Sequence, residues 1–180
     1  TDGGMTMGAA STLELFGDET PTIPALGANS TIIFTGVGSS AVSSFTVTDY
    51  YTTYNNPTVA STDGPNDAFV MGDTLDITGD FVFDGTFQTD NNDMTGAGDW
   101  SNDGVFTAGT GTVTLDTSNT MTVSGDSTFN ELITASGPKR IYFAAGSTTV
   151  IGASGTLIWD GSLGNLVTVR STATGTSWYL

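Results

Sequence analysis

The sequence predicts an all-β protein whose fold is a right-handed parallel β-helix, a β-solenoid with short strands. Short apolar or Thr-rich segments, which we call pulses, recur about every six to ten residues along the chain. Gly, Asp, Asn and Ser separate them. Within pulses such as Val113-Thr114-Leu115, apolar and polar residues alternate, which places one set of side chains on an inner face. No long stretch shows the apolar spacing of an α-helix. An antiparallel β-sandwich is the alternative, because Asp-Gly pairs also mark hairpins.

The first 29 residues differ from the rest, and we assign residues 1–29 to an N-terminal strand, a cap or an inter-subunit contact segment. Residues 12–16 form the one convincing strand there, and Pro21 and Pro24 follow it. Residues 30–180 are predicted to form a single solenoid domain. Near residues 50–69, Pro57 and the Asp63-Gly64-Pro65 stretch predict an excursion loop from the solenoid wall.

From the middle of the chain onward, the pulses predict the strands of successive coils. They centre on residues 75–77, 81–83, 87, 94, 100, 105–106, 113–115, 121–123, 129–133, 141–143, 150–151, 157–159, 166–169 and 178–180. Three short strands per coil would use about 20 to 24 residues and would allow roughly six or seven coils after the N-terminal region.

Two degenerate repeats support a solenoid. The pulses that begin at Ser30 are followed in the same order by pulses that begin at Gly111, about 80 residues later. An Asp-Gly pair flanked by apolar residues also recurs, at Asp84-Gly85, Asp103-Gly104 and Asp160-Gly161. Such recurrence is expected where each coil stacks on the one before it.

The charge of the chain is strongly acidic and excludes several partners. Nineteen acidic residues against Lys139, Arg140 and Arg170 give a net charge of −16. Such a surface repels nucleic-acid phosphates and anionic lipid headgroups, so we expect neither nucleic-acid binding nor membrane insertion. There is no Cys and no His, which excludes disulfides, thiolate chemistry and histidine acid/base catalysis. Because the chain begins at Thr1, we expect a processed form or a segment of something longer.

Residues 70–180 resemble bacterial exported repeat-rich surface proteins with filamentous-haemagglutinin-like or autotransporter-like β-helix repeats. The matching text is GDWSNDGVFTAGTGTVTL at 98–115, MTVSG at 121–125, STFNEL at 127–132, AAGSTTV at 144–150, GNLVTVRS at 164–171 and GTSWYL at 175–180. The resemblance implies an exported structural or adhesive role at the cell surface, and it brings no catalytic residues with it.

Acidic clusters at predicted corners are the candidate metal ligands. They are Asp63, Asn66 and Asp67, then Asp90, Asn92 and Asp93, then Asp99, Asn102 and Asp103. Hard oxygen ligands at short spacing suit Ca²⁺, so the last two clusters are our candidate calcium site and Ca²⁺ is the one candidate cofactor. Asp and Asn at corners also make local turn bonds, and solvated turns remain the alternative.

Three tyrosines, Tyr50, Tyr51 and Tyr54, are a candidate platform for carbohydrate or a host surface. The alternative is that they cover the flank of the solenoid. Parallel β-helices also host polysaccharide-cleaving enzymes, which need two carboxylates across a cleft. No motif selects such a pair, so we expect the protein not to be an enzyme.

These observations lead us to expect a non-enzymatic extracellular protein, part of a cell-surface filament, sheath or adhesin stalk. Unpaired strand edges at the ends of a solenoid invite stacking, so we expect a head-to-tail homo-oligomer. Its contact residues are predicted at both ends of the chain: Leu13, Leu15, Phe16, Trp178, Tyr179 and Leu180. The alternatives are a carbohydrate- or host-binding adhesin module and, third, a polysaccharide-degrading enzyme.

Overall fold

The structure, a computed structural model, describes residues 7–16, 26–36, 43–47, 51–61, 67–117, 119–135 and 139–180. These residues contain 18 β-strands and no α-helix, and all the pairings between strands are parallel. The strands form a β-solenoid of about six turns. The prediction of a parallel β-helix is therefore confirmed, and the antiparallel sandwich is wrong. Nowhere in the described ranges is there a helix that could span a bilayer.

The solenoid has three parallel sheets, and its strands are numbered here in chain order. The eight-stranded sheet contains β1 (Thr12–Leu15), β2 (Thr31–Phe34), β5 (Asn56–Val59), β8 (Phe81–Phe83), β11 (Trp100–Asn102), β14 (Thr120–Ser124), β16 (Lys139–Phe143) and β18 (Val167–Ser171). The six-stranded sheet contains β4 (Thr53–Tyr54), β7 (Leu75–Ile77), β10 (Met94–Gly96), β13 (Thr112–Leu115), β15 (Ser127–Thr134) and β17 (Thr149–Ile158). The four-stranded sheet contains β3 (Ser43–Thr46), β6 (Asp67–Val70), β9 (Thr86–Gln88) and β12 (Val105–Thr107).

The central coils are shorter than the sequence predicts. Residues 19 positions apart lie side by side on all three faces, as Phe81 with Trp100, Phe87 with Phe106 and Met94 with Val113. The step from β16 to β18 is longer, because Ile141 pairs with Val169, 28 residues later. The additional residues of the longer step lie partly between strands and partly in the strand Thr149–Ile158, which is ten residues long.

The inward side chains form a continuous aromatic and aliphatic core. Phe81, Phe83 and Trp100 contact one another with ring centroids 4.9–5.4 Å apart. Phe106 continues the row to Phe129 at 5.3 Å. Offset and edge-to-face contacts of this kind add stability beyond the area that the rings bury.

The cross-section changes after β12, which is the last strand of the four-stranded sheet. Beyond it, β15 and β17 are eight and ten residues long, and their pairing shifts register between Phe129 and Glu131. One long bent strand therefore replaces two short ones. Where the cross-section changes, there is an open cavity of ≈ 350 Å³. Phe106, Phe129, Asn130 and neighbouring residues line it.

The structure contradicts two local predictions, the excursion loop and the equivalence of the pulses that begin at Ser30 and Gly111. The predicted excursion loop is wrong for residues 53–59, since β4 and β5 lie there and pair with β7 and with β2 and β8. Pro57 is tolerated inside β5, at a position paired with Ile32. The pulses that begin at Ser30 and Gly111 also lie in different sheets, because β2 belongs to the eight-stranded sheet and β13 to the six-stranded one.

Candidate functional site

Three side chains near one corner, among them the predicted metal ligand Asp99, join one coil to the next. The Oδ1 atom of Asn56 accepts a hydrogen bond from the Asp80 N–H at 3.0 Å, and Asp80 Oδ1 accepts one from the Asp99 N–H at 2.8 Å. Asp99 Oδ1 accepts the next, from the Thr122 N–H at 2.7 Å. We call Asn56, Asp80 and Asp99 the corner ladder. A carboxylate that accepts a backbone N–H makes a stronger hydrogen bond than a neutral acceptor does.

A second corner is held in the same way. Asp90 and Asn91 have φ angles of 48° and 69°, in the left-handed region that Asp and Asn tolerate better than most residues. Asn91 Oδ1 accepts hydrogen bonds from the N–H and the hydroxyl of Thr110, at 3.0 and 3.1 Å. Asp93 Oδ1 accepts one from the Thr112 N–H at 2.8 Å, and Asn92 Nδ2 donates to the Met71 carbonyl at 3.1 Å.

Asn102 is the most deeply placed of the six candidate ligands. Its side chain is 3% exposed, and its Nδ2 donates to the Asp126 carbonyl at 2.7 Å and to the Ser127 hydroxyl at 2.9 Å. Its Oδ1 accepts the Gly104 N–H at 2.9 Å. All three amide positions are used inside the fold, so the Asn102 side chain is explained by structure alone.

Four of the six candidate ligands, Asn92, Asp93, Asp99 and Asn102, therefore make structural hydrogen bonds. Among the described residues, no three carboxylates come together as a group that could hold a metal ion. Asp67 is buried at the start of β6, whereas Asp63 and Asn66 lie outside the described residues. Calcium binding stays a prediction, and the hydrogen bonds above compete with it for the same oxygen atoms.

We expect Asp99→Ala to lower the free energy of unfolding by about 1–2 kcal/mol, because the Thr122 N–H loses its charged acceptor. Asp99→Asn keeps an acceptor oxygen and should recover most of that loss. Asp103→Ala is the matched control, because that exposed side chain makes no hydrogen bond within the described part of the chain. Urea unfolding with Ca²⁺ or with chelator measures all three. If Ca²⁺ raised the stability of the wild type but not of Asp99→Ala, Asp99 would be a calcium ligand.

The structure contradicts one residue of the predicted tyrosine platform, Tyr54. Tyr54 is buried in the core, where its hydroxyl donates to the Val47 carbonyl at 2.6 Å. Its ring meets those of Phe34 and Tyr51 edge-on, at 5.9 Å in each case. Burial raises the pKa of the Tyr51 phenol above its ordinary value, because it disfavours the phenolate. Tyr50 lies outside the described residues, so of the three predicted residues Tyr54 is excluded as a ligand contact.

Lys139 is a buried cation that the sequence does not reveal. Its side chain is 4% exposed, and its Nζ donates to the Thr117 carbonyl and lies 3.5 Å from Asp116 Oδ1. Because a buried ammonium needs such partners, Lys139 ties β16 to the end of β13 and is not free to meet another molecule.

One open cleft is lined by two carboxylates. Asp103 and Asp126 border it together with Asn102 and Ser147, and its volume is ≈ 460 Å³. Asp126 Oδ1 already accepts the Thr148 N–H at 2.7 Å. The polysaccharide-cleaving alternative needs two carboxylates at a cleft, and here one oxygen atom of the pair already serves the fold.

The C-terminal end of the core is covered less than its interior. Ile141, Leu132 and Phe129 are 0%, 0% and 1% exposed. Their partners one coil later are Val169, Leu157 and Ile151, and all three are only half-buried. We call Val169, Leu157 and Ile151 the open row. A coil is buried mainly by the coils on either side of it, and among the described residues the strands of the open row have a partner strand on one side only.

Exposed apolar side chains concentrate at the same end. Of the nine large ones that the described residues expose, six lie between residues 150 and 180. They are Val150, Ile158, Leu163, Leu166, Tyr179 and Leu180. Among the described residues, large exposed apolar side chains are therefore more frequent in residues 150–180 than elsewhere.

The six predicted assembly residues are placed differently from one another. Tyr179 and Leu180 are exposed, and Phe16 is 51% exposed. Leu15 is buried and Leu13 packs against the core, which makes both of them core side chains of β1. Trp178 stacks on Phe143 at 5.2 Å and partly covers the end of the core.

No protein-family model matches this chain, and comparison with curated proteins and with solved structures gave no significant match.

Proposed function

We propose that this chain is a non-enzymatic structural subunit of an extracellular cell-surface filament, sheath or stalk, built by end-to-end stacking of solenoids. The half-buried open row carries this proposal. Its three members align with side chains that are at most 1% exposed, so one further coil would bury them equally well. Burial of apolar surface contributes about 25 cal/mol per Å², which makes a covered end more stable than an open one.

Both ends of the eight-stranded sheet offer backbone for pairing. Within the described residues, β1 has β2 as its one partner strand and β18 has β16. An unpaired edge is a template for another strand, and solenoids without a polar cap tend to associate there. Coaxial stacking of unlike ends does not close into a ring, so it produces filaments.

The composition agrees with an extracellular surface and disfavours a nucleic-acid binder. The net charge of −16 keeps neighbouring filaments apart and opposes contact with phosphate-rich partners. A chain without Cys is also indifferent to the redox state of its compartment. Attachment to carbohydrate or to a host surface is the alternative role, and it would use residues other than Tyr54.

Concentration-dependent assembly tests the proposal. We expect the purified chain to form filaments of uniform width by negative-stain electron microscopy, and Val169→Lys to prevent them, because a charge would stand in the open row. Thr156→Lys is the matched control, since Thr156 is exposed on neighbouring β17. Circular dichroism checks that both variants fold. A wild type that sediments as a monomer at every concentration contradicts the proposal.

The cleft lined by Asp103 and Asp126 favours polysaccharide cleavage as a second candidate function. Release of reducing ends from acidic and neutral polysaccharides would support it, provided that Asp103→Ala abolished the release. Filament formation without any such release leaves the structural role alone.

A further inference from the structure

Glu14 and Arg170 occupy matching positions at opposite ends of the eight-stranded sheet. In β1, Leu13 and Leu15 pair with the buried Ile32 and Phe34, so Glu14 between them points outward and is exposed. In β18, Val169 pairs with the buried Ile141. Arg170, the next residue, therefore also points outward, and it is exposed.

A second copy that adds its β1 to β18 would continue this sheet. The strands of the sheet are parallel throughout, so the added strand keeps their direction. An in-phase register places Leu13 beside Val169 of the copy before it, and Glu14 beside Arg170. Adjacent strands lie about 4.8 Å apart, which brings the carboxylate and the guanidinium within contact distance. A shift by one residue would turn the apolar side chains outward.

The distribution of cations favours this order of copies. The chain has three cations, and Lys139 is buried with Asp116 and the Thr117 carbonyl. Arg140 and Arg170 are both exposed on the outer face of the last two strands, where Arg140 pairs with Thr168. In an otherwise acidic molecule, this end is a basic edge. Joining two such ends would bring arginines together, whereas joining unlike ends brings Arg170 to Glu14.

We propose that Glu14 of one copy forms an ion pair with Arg170 of the next, and that this pair selects the head-to-tail order and the register of the stack. The pair rests on the proposed stacking function and names the partner of the open end as a second copy of this chain. The open row supplies the apolar contact between copies. The reversed order and a shifted register are disfavoured, because neither brings Glu14 beside Arg170.

Charge reversal with rescue tests the pair. We expect Glu14→Arg and Arg170→Glu each to raise the concentration needed for filaments about tenfold, because each change places like charges together. The double variant and an equal mixture of the two single variants should assemble like the wild type, since both restore opposite charges. Asp76→Arg is the matched control for Glu14→Arg, because it makes the same charge change at an exposed position of β7, away from the added strand.

The outcomes separate the pair from the proposed function. Wild-type filaments that neither reversal affects, or that are lost and not restored by the double variant or the mixture, overturn the ion pair and leave stacking intact. A wild type that is monomeric at every concentration overturns both. High salt should reduce the difference between the wild type and the single variants in the protein concentration needed for filaments. A difference that salt does not change counts against an ion pair.

Discussion

Replacing Phe83 by alanine is expected to lower the free energy of unfolding by about 3–5 kcal/mol. Phe83 is fully buried, and its ring lies 4.9 Å from that of Phe81 and 5.2 Å from that of Trp100. It also contacts Phe87 and Phe106, so its removal opens a cavity between two coils. Side chains on adjacent strands are held by the ladder of backbone hydrogen bonds and can collapse into that cavity only in part.

Val82 provides the control for this variant. It precedes Phe83 in β8, points outward and is 41% exposed. Val82→Thr keeps a β-branched side chain and should change the free energy of unfolding by less than about 0.5 kcal/mol. Urea unfolding followed by tryptophan fluorescence measures both variants, because Trp100 touches Phe83. Equal losses for the two would mean that the aromatic row is not the stabilising core.

Replacing Gly125 by alanine is the second change with a large expected effect. Gly125 has a φ of 79°, a left-handed conformation that costs a residue with a side chain about 1–2 kcal/mol. An added Cβ would also overlap the carbonyl oxygen of Asn102, on the neighbouring coil. Relieving that overlap must move backbone, so we expect a further loss of about 1–3 kcal/mol.

Gly146 separates the two contributions. Its φ of 86° is close to that of Gly125, yet an added Cβ would meet nothing within 4 Å. Gly146→Ala should therefore show the conformational cost alone. The difference between the two variants in guanidinium unfolding measures the contact between coils at Asn102. Equal losses of unfolding free energy for the two variants would show that the backbone at Asn102 moves away from the added Cβ without an energetic cost.

The inner and outer faces of the central strands were predictable from alternation. Val113, Leu115, Met121 and Val123 alternate with Thr in the sequence, and all four are buried. A strand has a side-chain period of two, so a pattern of two or three apolar residues is enough to orient it. The recurrence of Asp-Gly at 84–85 and 103–104 correctly predicted stacked coils. The two glycines lie against each other, since an added Cβ on Gly104 would meet the carbonyl of Gly85 one coil away.

The candidate site was less predictable, because it depends on neighbours that are distant in sequence. Tyr54 reads as a loop residue beside Asn55, Asn56 and Pro57, but its side chain belongs to the core because β4 pairs with β7. Lys139 reads as an exposed basic residue, but the carbonyl of Thr117 and the carboxylate of Asp116 lie on the coil before it. Asp99 reads as a calcium ligand, and its oxygen serves the Thr122 N–H, 23 residues later.

The sequence by itself determined the all-β class, the inward set of side chains in the central coils and the acidic, Cys-free surface, because periodicity and composition are local properties. The tertiary structure decided which strands share a sheet, which corner oxygens join coils, and which end of the core stays half-buried. Those features depend on how many residues each coil uses: a central coil of 19 residues puts Phe81 beside Trp100, and the longer last coil puts Val169 beside Ile141. Coil length is set by packing between neighbouring coils, whose paired residues lie 19 positions apart at Phe81 and Trp100 and 28 apart at Ile141 and Val169, so no short stretch of the chain encodes it.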